Sequence, residues 1–392
     1  SATDPSNVIM VGLQSARIEY DSLQSQWVLS DPRLNLTAWT RASQISYALG
    51  KNNWTISGDQ YPCSTDGDYE IQMKLSGCKE DEFTCDDGQC IKMEKRCDQM
   101  SQCWDESDER NCRILVLQYG YNKEVPPTVV SGRKTQEKKL LPVRVSLTLQ
   151  KVIAIEEDDH SISFKFKISL VWRENRVTYQ NLKKDSTNNL LRQDEVIILW
   201  LPLVIYWNTD QEETTRLGGF WEWKTEILVE REGNMSRNSM TDIDEAEIFQ
   251  GAENSLRMEQ TYTHAFQCVF KLSEYPFDTQ VGFHISLDWI LRCLAQVCQI
   301  EMVLGSTDAN SVVLVAEKLL MVQGADMNLF VITEHRLVNM THPQKGVKME
   351  VKLKRKIMSE MMTTYLPSFL LMMITFATTF FKPCLLYTSD AA

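Results

Sequence analysis

The chain has 392 residues, 43% of them hydrophobic, which is enough for two or three domains with real cores. Its 41 Lys and Arg face 53 Asp and Glu, a net charge of −12, and this excludes the basic face that a nucleic-acid binder usually carries. Eleven cysteines, seven of them between Cys63 and Cys112, exceed what a cytosolic protein keeps as idle thiols and point to an oxidising compartment.

Residues 1–77 show short apolar runs broken by Gly, Asn and Asp, as in LNLTAWTRASQISYALGKNNWTISGD, and are expected to be part of a β-rich extracellular module. The first residue is Ser and no signal peptide is visible, so N-terminal residues are expected to be missing, and a partner of Cys63 with them. Residues 78–112 are a compact cysteine block, CKEDEFTCDDGQCIKMEKRCDQMSQCWDESDERNC. Residues 113–142, with Pro126-Pro127 and GRKTQEKK, read as a linker running into the next domain.

From Val143 the pattern alternates. VRVSLTL at 143–149 and FKFKISLVW at 164–172 have the period of two that marks half-buried strands. EVIILWLPLVIYW, HAFQCVFKL, QVGFHISLDW, SVVLVAEKLLMV, MNLFVITEHRLV and VKMEVKLKR are further strand candidates, so a mainly β fold with a β-sandwich over 113–356 is expected. Sequons at Asn35, Asn53, Asn234 and Asn339 agree with an extracellular setting.

Met361–Phe381 carries no charge over 21 residues. At ~1.5 Å per residue it spans about 31 Å, close to the apolar thickness of a bilayer. KLKRK at 352–356 precedes it, and the positive-inside rule would place that run in the cytoplasm. Disulfides upstream demand the outside, and they take precedence because bridged modules do not persist in a reducing cytosol. The expected location is therefore the plasma membrane, with the N-terminal region outside.

The cysteine block cannot fold unaided, because 35 residues bury too little apolar area. Bridges and a metal must supply the rest. It holds eleven acidic side chains against five basic ones, half of the acidic excess of the whole chain. Carboxylates crowded between bridges call for a hard cation, and Ca2+ takes six to eight oxygens.

Through FTCDDGQCI, the Cys97-Asp98 step and Ser107-Asp108-Glu109, the block resembles an LDL-receptor class A repeat. The resemblance implies bridges Cys78–Cys90, Cys85–Cys103 and Cys97–Cys112. It also implies calcium held by the side chains of Asp98, Asp108 and Glu109 and by main-chain carbonyls near Lys95 and Met100. Gln102 stands where the family usually has an acid, so weaker calcium binding is expected. Such repeats bind basic protein partners, for which the aromatic Trp104 is in the right region, or serve as spacers.

A second resemblance lies in CVFKLSEYPFDTQVG. Cys268, followed by Tyr275, Pro276, Phe277 and Asp278, resembles the signature loop of the pentameric Cys-loop ligand-gated ion channels, although Gly282 occupies the place of the second cysteine. Trp289, the Trp200-Leu201-Pro202 step with Trp207 and Asn208, Trp172 with Glu174, and Arg355 twelve residues before Pro367 fall at further family offsets. The resemblance implies an immunoglobulin-like β-sandwich in which Trp207 and Trp289 line a ligand cavity, suited to a small ammonium compound by the negative faces of their rings. Trp172 and Trp200 are expected in the core. The cage is incomplete, because Lys167 and Leu203 stand where the family has an aromatic and an Asp. The family's loop meets the first membrane helix, so Asp278 is expected to pair with Arg355 and couple the two. Cys268 either bridges to Cys293 or Cys298 or stays free while those two pair.

The residues CLLYTSDAA resemble translated sequencing adapter, and 384–392 are set apart on that ground, with further membrane helices expected to be absent. The expected organisation is a partial module at 1–77, a class A repeat at 78–112, a ligand-binding sandwich at 113–356, a first transmembrane helix at 357–383, and the suspect tail. The expected function is a ligand-gated channel subunit, homo- or hetero-pentameric, bound to the membrane and to a small ligand, with no nucleic-acid partner and no enzymatic activity. The rival is a single-span adhesion or receptor protein that conducts nothing.

Overall fold

The computed structural model describes residues 9–11, 16–33, 36–41, 48–56, 69–128, 140–156, 159–206, 226–237, 245–268, 279–280, 298–304, 312–322, 330–340, 346–356, 358 and 361–380. The chain is mainly β and divides into two compact units. One comprises 1–117, 177–189 and 231–253, and the other 118–176, 190–230 and 254–392.

The first unit opens with a six-stranded antiparallel meander, β1 (Ile9–Val11), β2 (Arg17–Asp21), β3 (Gln26–Asp31), β4 (Leu36–Thr40), β5 (Gly50–Ile56) and β6 (Tyr69–Leu75). Trp27, Ala38 and Trp54, on β3, β4 and β5, bury its inner face. The hairpin β7 (Glu82–Thr84) and β8 (Cys90–Lys92) belongs to the cysteine block. Backbone approaches β5 closely here. Lys51 N–H donates to Asp86 O (2.8 Å), and a Cβ on Gly50, whose φ is +81°, would meet that oxygen at 2.2 Å. Only glycine fits such a left-handed, crowded position. β9 (Leu115–Leu117) follows.

The second unit holds the two longest alternating strands, β10 (Leu141–Glu156) and β11 (Ser161–Arg173). Val143, Val145, Leu147 and Leu149 point inward on β10, as do Ile162, Phe164, Phe166, Ile168 and Leu170 on β11. A register shift at Leu149/Lys151 restores Val152 to the core, since an inserted residue exchanges the two faces, and a second follows at Val152/Ala154. β12 (Val177–Gln180) then returns to the first unit and pairs with β9.

One expected strand is divided. In EVIILWLPLVIYW β13 (Val204–Tyr206) is a strand, whereas α1 (Gln193–Ile197) is a helical turn. Arg192 N–H donates to the Glu195 carboxylate (2.9 Å), a side-chain bond back to the helix entry that favours helix, and Pro202 cannot donate within a ladder. β14 (Glu226–Glu230) belongs to the second unit. β15 (Met235–Arg237) and β16 (Glu247–Gln250) complete the four-stranded β15–β16–β12–β9 sheet of the first.

β17 (Ser255–Gln267), β18 (Thr279–Gln280), β19 (Cys298–Leu304), β20 (Val312–Met321), β21 (Phe330–Met340) and β22 (Gly346–Arg355) close the second unit. Its two sheets are β14–β17–β11–β10–β20, with β10 and β20 parallel, and β13–β19–β22–β18 with β21 on β22. Rings of Phe166 and Phe266 on one sheet meet Tyr206 of the other at 5.8 and 5.9 Å, so the sheets face each other through an aromatic layer. Trp172 and Trp200 are buried and meet edge to face at 6.2 Å, as expected of core residues.

A π-helical turn at Met361–Tyr365 leads into α2 (Leu366–Phe380). Met361–Thr379 is long and apolar enough to cross a membrane, and none of its most apolar stretch is buried against protein.

Candidate calcium and recognition sites

The cysteine block packs Phe83, Cys85, Ile91, Met93 and Cys103 into a minimal core. Three bridges, Cys78–Cys90, Cys85–Cys103 and Cys97–Cys112, hold it. The Arg96 guanidinium and the Lys74 ammonium lie 4.5 and 4.4 Å from the Phe83 ring centroid, covering its faces with cations.

The acidic loop turns tightly, with Cys97, Gln99 and Glu106 all at positive φ. Its carboxylates order the main chain. Asp98 Oδ1 accepts from Met100 N (3.0 Å), Glu109 Oε1 accepts from Asp98 N (2.8 Å) and Gln99 N (3.0 Å), and Asp108 Oδ2 accepts from Gln102 N (2.7 Å). Burial, reinforced by Asp98 and Asp108, pushes the Glu109 carboxyl above its ordinary range, against the pull of its two backbone donors.

Asp108 is completely buried, yet its Oδ1 has no hydrogen-bond partner, and neither has the buried Oε1 of Gln102. Orphaned acceptors of this kind are costly unless a donor or cation meets them. The Gln102 amide nitrogen faces Asp98 at 3.2 Å, and exchanging its O and N would turn a third neutral oxygen toward the same loop. The donor set is all oxygen, which fits a hard cation. Two other groups bring ligand atoms within 4.8 Å, Glu82 with Cys78 and Cys90, and Asp105 with Cys85 and Cys103. Their sulfurs are in bridges and offer no thiolate to a metal.

A profile for the low-density lipoprotein receptor domain class A matches residues 76–112. Residues 76–112 are an LDL-receptor class A module. Modules of this class with three disulfides typically bind calcium. A vitellogenin receptor of Solenopsis invicta is 30% identical over 90 residues, covering 21% of this chain and 5% of that receptor. The chain thus spans a small fraction of that relative's length.

Trp104 of the module is 89% exposed. Lys183, which the sequence reading passed over, reaches the module from beyond β12. Its Nζ donates to Glu94 O (2.7 Å) and Arg96 O (2.5 Å), on either side of Lys95. Burial lowers the Lys183 pKa, opposed by Asp98, Glu247, Glu109 and Glu94.

Of the residues expected to bind a small ligand or couple it to the helix, Trp207, Trp289, Tyr275, Pro276, Phe277 and Asp278 lie outside the described residues. Arg355 is described. It ends β22, is 3% exposed, and stacks its guanidinium 4.5 Å from the centroid of Phe330, its register partner. Cys268 is disulfide-bonded, which removes the free-thiol alternative, and its partner lies outside the described side chains. Lys167, where an aromatic would complete the expected ligand cage, forms an ion pair with Glu259 at 2.5 Å.

The sequence reading also missed a second buried network. The Glu174 carboxylate, fully buried, takes a bidentate bond from Arg176 (2.8 and 2.7 Å). Arg176 also donates to the Asn122 and Val125 carbonyls and covers the Tyr121 ring at 4.7 Å. Tyr121 Oη accepts from Trp200 N (2.6 Å), while burial pushes its own pKa up to about 12. The only sequence signal was the acid two residues past Trp172.

Proposed function

We propose that the chain is a cell-surface receptor whose class A module holds calcium and whose β-rich extracellular part recognises a ligand, with the apolar helix as its membrane span. Calcium would be held by Asp98, Gln102, Asp108 and Glu109 side chains with the Lys95 and Met100 carbonyls. When bound it neutralises the acidic loop. The supporting observation is that one chain carries both a triply bridged extracellular-type module and an apolar helix with no burial against protein. Exposed sequons at Asn53, Asn234 and Asn339 agree with that side of the membrane. The acidic module and exposed Trp104 favour a basic protein partner. In cells expressing the chain, an impermeant amine-reactive biotin should label it, and an antibody to the module should bind without permeabilisation. Antibody access only after permeabilisation would sink this reading.

A second reading, a channel subunit of the Cys-loop type, is favoured by the passage from β22 into the helix, with Arg355 only six residues before Met361. In that reading Trp207 and Trp289 line the ligand cavity, and the Tyr275–Asp278 turn couples to Arg355. It predicts a pentamer in native mass spectrometry. It also predicts that a small quaternary amine quenches tryptophan fluorescence, with at least about tenfold weaker binding after Trp207→Ala or Trp289→Ala. A monomer whose amine affinity neither substitution alters would leave the single-span receptor standing.

A further inference from the structure

We propose that Lys183 is a built-in competitor of calcium: its ammonium, docked beside the ligand loop of the class A module, holds calcium affinity down. The inference rests on the calcium reading above.

The docking is constructed. Asn189, 1% exposed, grips the Lys183 main chain from both sides, accepting from its N–H (2.7 Å) and donating to its carbonyl (3.0 Å). That clamp aims the side chain at the Glu94 and Arg96 carbonyls, which flank the carbonyl of Lys95 in the proposed ligand set. An ammonium, with three N–H donors, suits two converging carbonyls. Lys184 adds a second cation at the Glu94 carboxylate (3.5 Å).

The charge balance makes this consequential. The ligand set carries three carboxylates, and Gln102 contributes none. Asp98 and Glu109, two of the three, are among the acids whose charge Lys183 feels. One fixed positive charge therefore offsets part of the attraction on which a divalent cation depends. Like charges that share a carboxylate loop oppose each other strongly at this range and less in high salt. Calcium sites of extracellular modules commonly work at Kd values of about 10⁻⁴–10⁻³ M, set by ligand charge count and rigidity. Lys183 lowers the effective charge count without touching a ligand.

The test is calorimetric titration of calcium chloride into the full chain in detergent, comparing wild type with Lys183→Met, Lys183→Arg and Asn189→Ala. Lys183→Met should tighten calcium binding about fivefold at low salt, with the gap narrowing as salt rises. Lys183→Arg should stay within about twofold of wild type, because the charge remains. Asn189→Ala, which frees the lysine without removing it, should shift affinity in the same direction as Lys183→Met. Calcium binding that is unchanged or weaker in Lys183→Met would overturn this role while leaving the calcium site intact. No calcium heat in any variant would overturn both.

Discussion

Glu174→Ala will lower the stability of its unit by about 3–5 kcal/mol, the usual cost of stranding one partner of a buried ion pair. Glu174 is fully buried and is the bidentate acceptor for Arg176, whose remaining N–H groups fasten the Asn122 and Val125 carbonyls. Its loss leaves a guanidinium only 23% exposed without a counter-ion, and loosens the loop that presents Tyr121 to Trp200. Urea unfolding of the detergent-solubilised chain, followed by tryptophan fluorescence, measures the loss. Arg176→Ala should cost a similar amount, and the double variant less than the two combined, because the pair acts as a unit. A loss under about 1 kcal/mol for Glu174→Ala would mean that the pair is as weak as a surface bridge.

Asp108→Asn is expected to abolish calcium-dependent stabilisation of the class A module. An ion present at a hundred times its Kd adds about 2.7 kcal/mol to the state that binds it. The asparagine keeps an oxygen for the Gln102 N–H but presents no charge to the ion. Scanning calorimetry with calcium and with a chelator should show an upward shift for wild type and none for the variant, while the three bridges stay formed in both. An equal shift in the two proteins would place the calcium elsewhere.

Local regularities were legible in the sequence. The alternation of β10 and β11 foretold which side chains face inward, because a strand turns successive residues to opposite faces whatever its neighbours are. The cysteine spacing marked the class A module for a related reason. Its fold is confined to 35 residues, with bridges that close loops of 12, 18 and 15 residues. The misread segment was EVIILWLPLVIYW, where a short apolar run fits helix and strand alike. There the Glu195 cap and Pro202 decided the outcome rather than hydrophobicity.

By itself, then, the sequence determined the mainly β character, the bridged acidic module and the apolar helix, all of which follow from spacing within a few dozen residues. Only the tertiary structure decided that β12 and β16 join β9 in the module's unit, that Lys183 reaches Glu94 and Arg96, and that Arg176 meets Glu174. Lys183 and Glu94 stand 89 residues apart, and nothing about a lysine pair near a strand end marks its partner. Contacts of that range depend on how whole strands are ordered into sheets, which local periodicity does not encode.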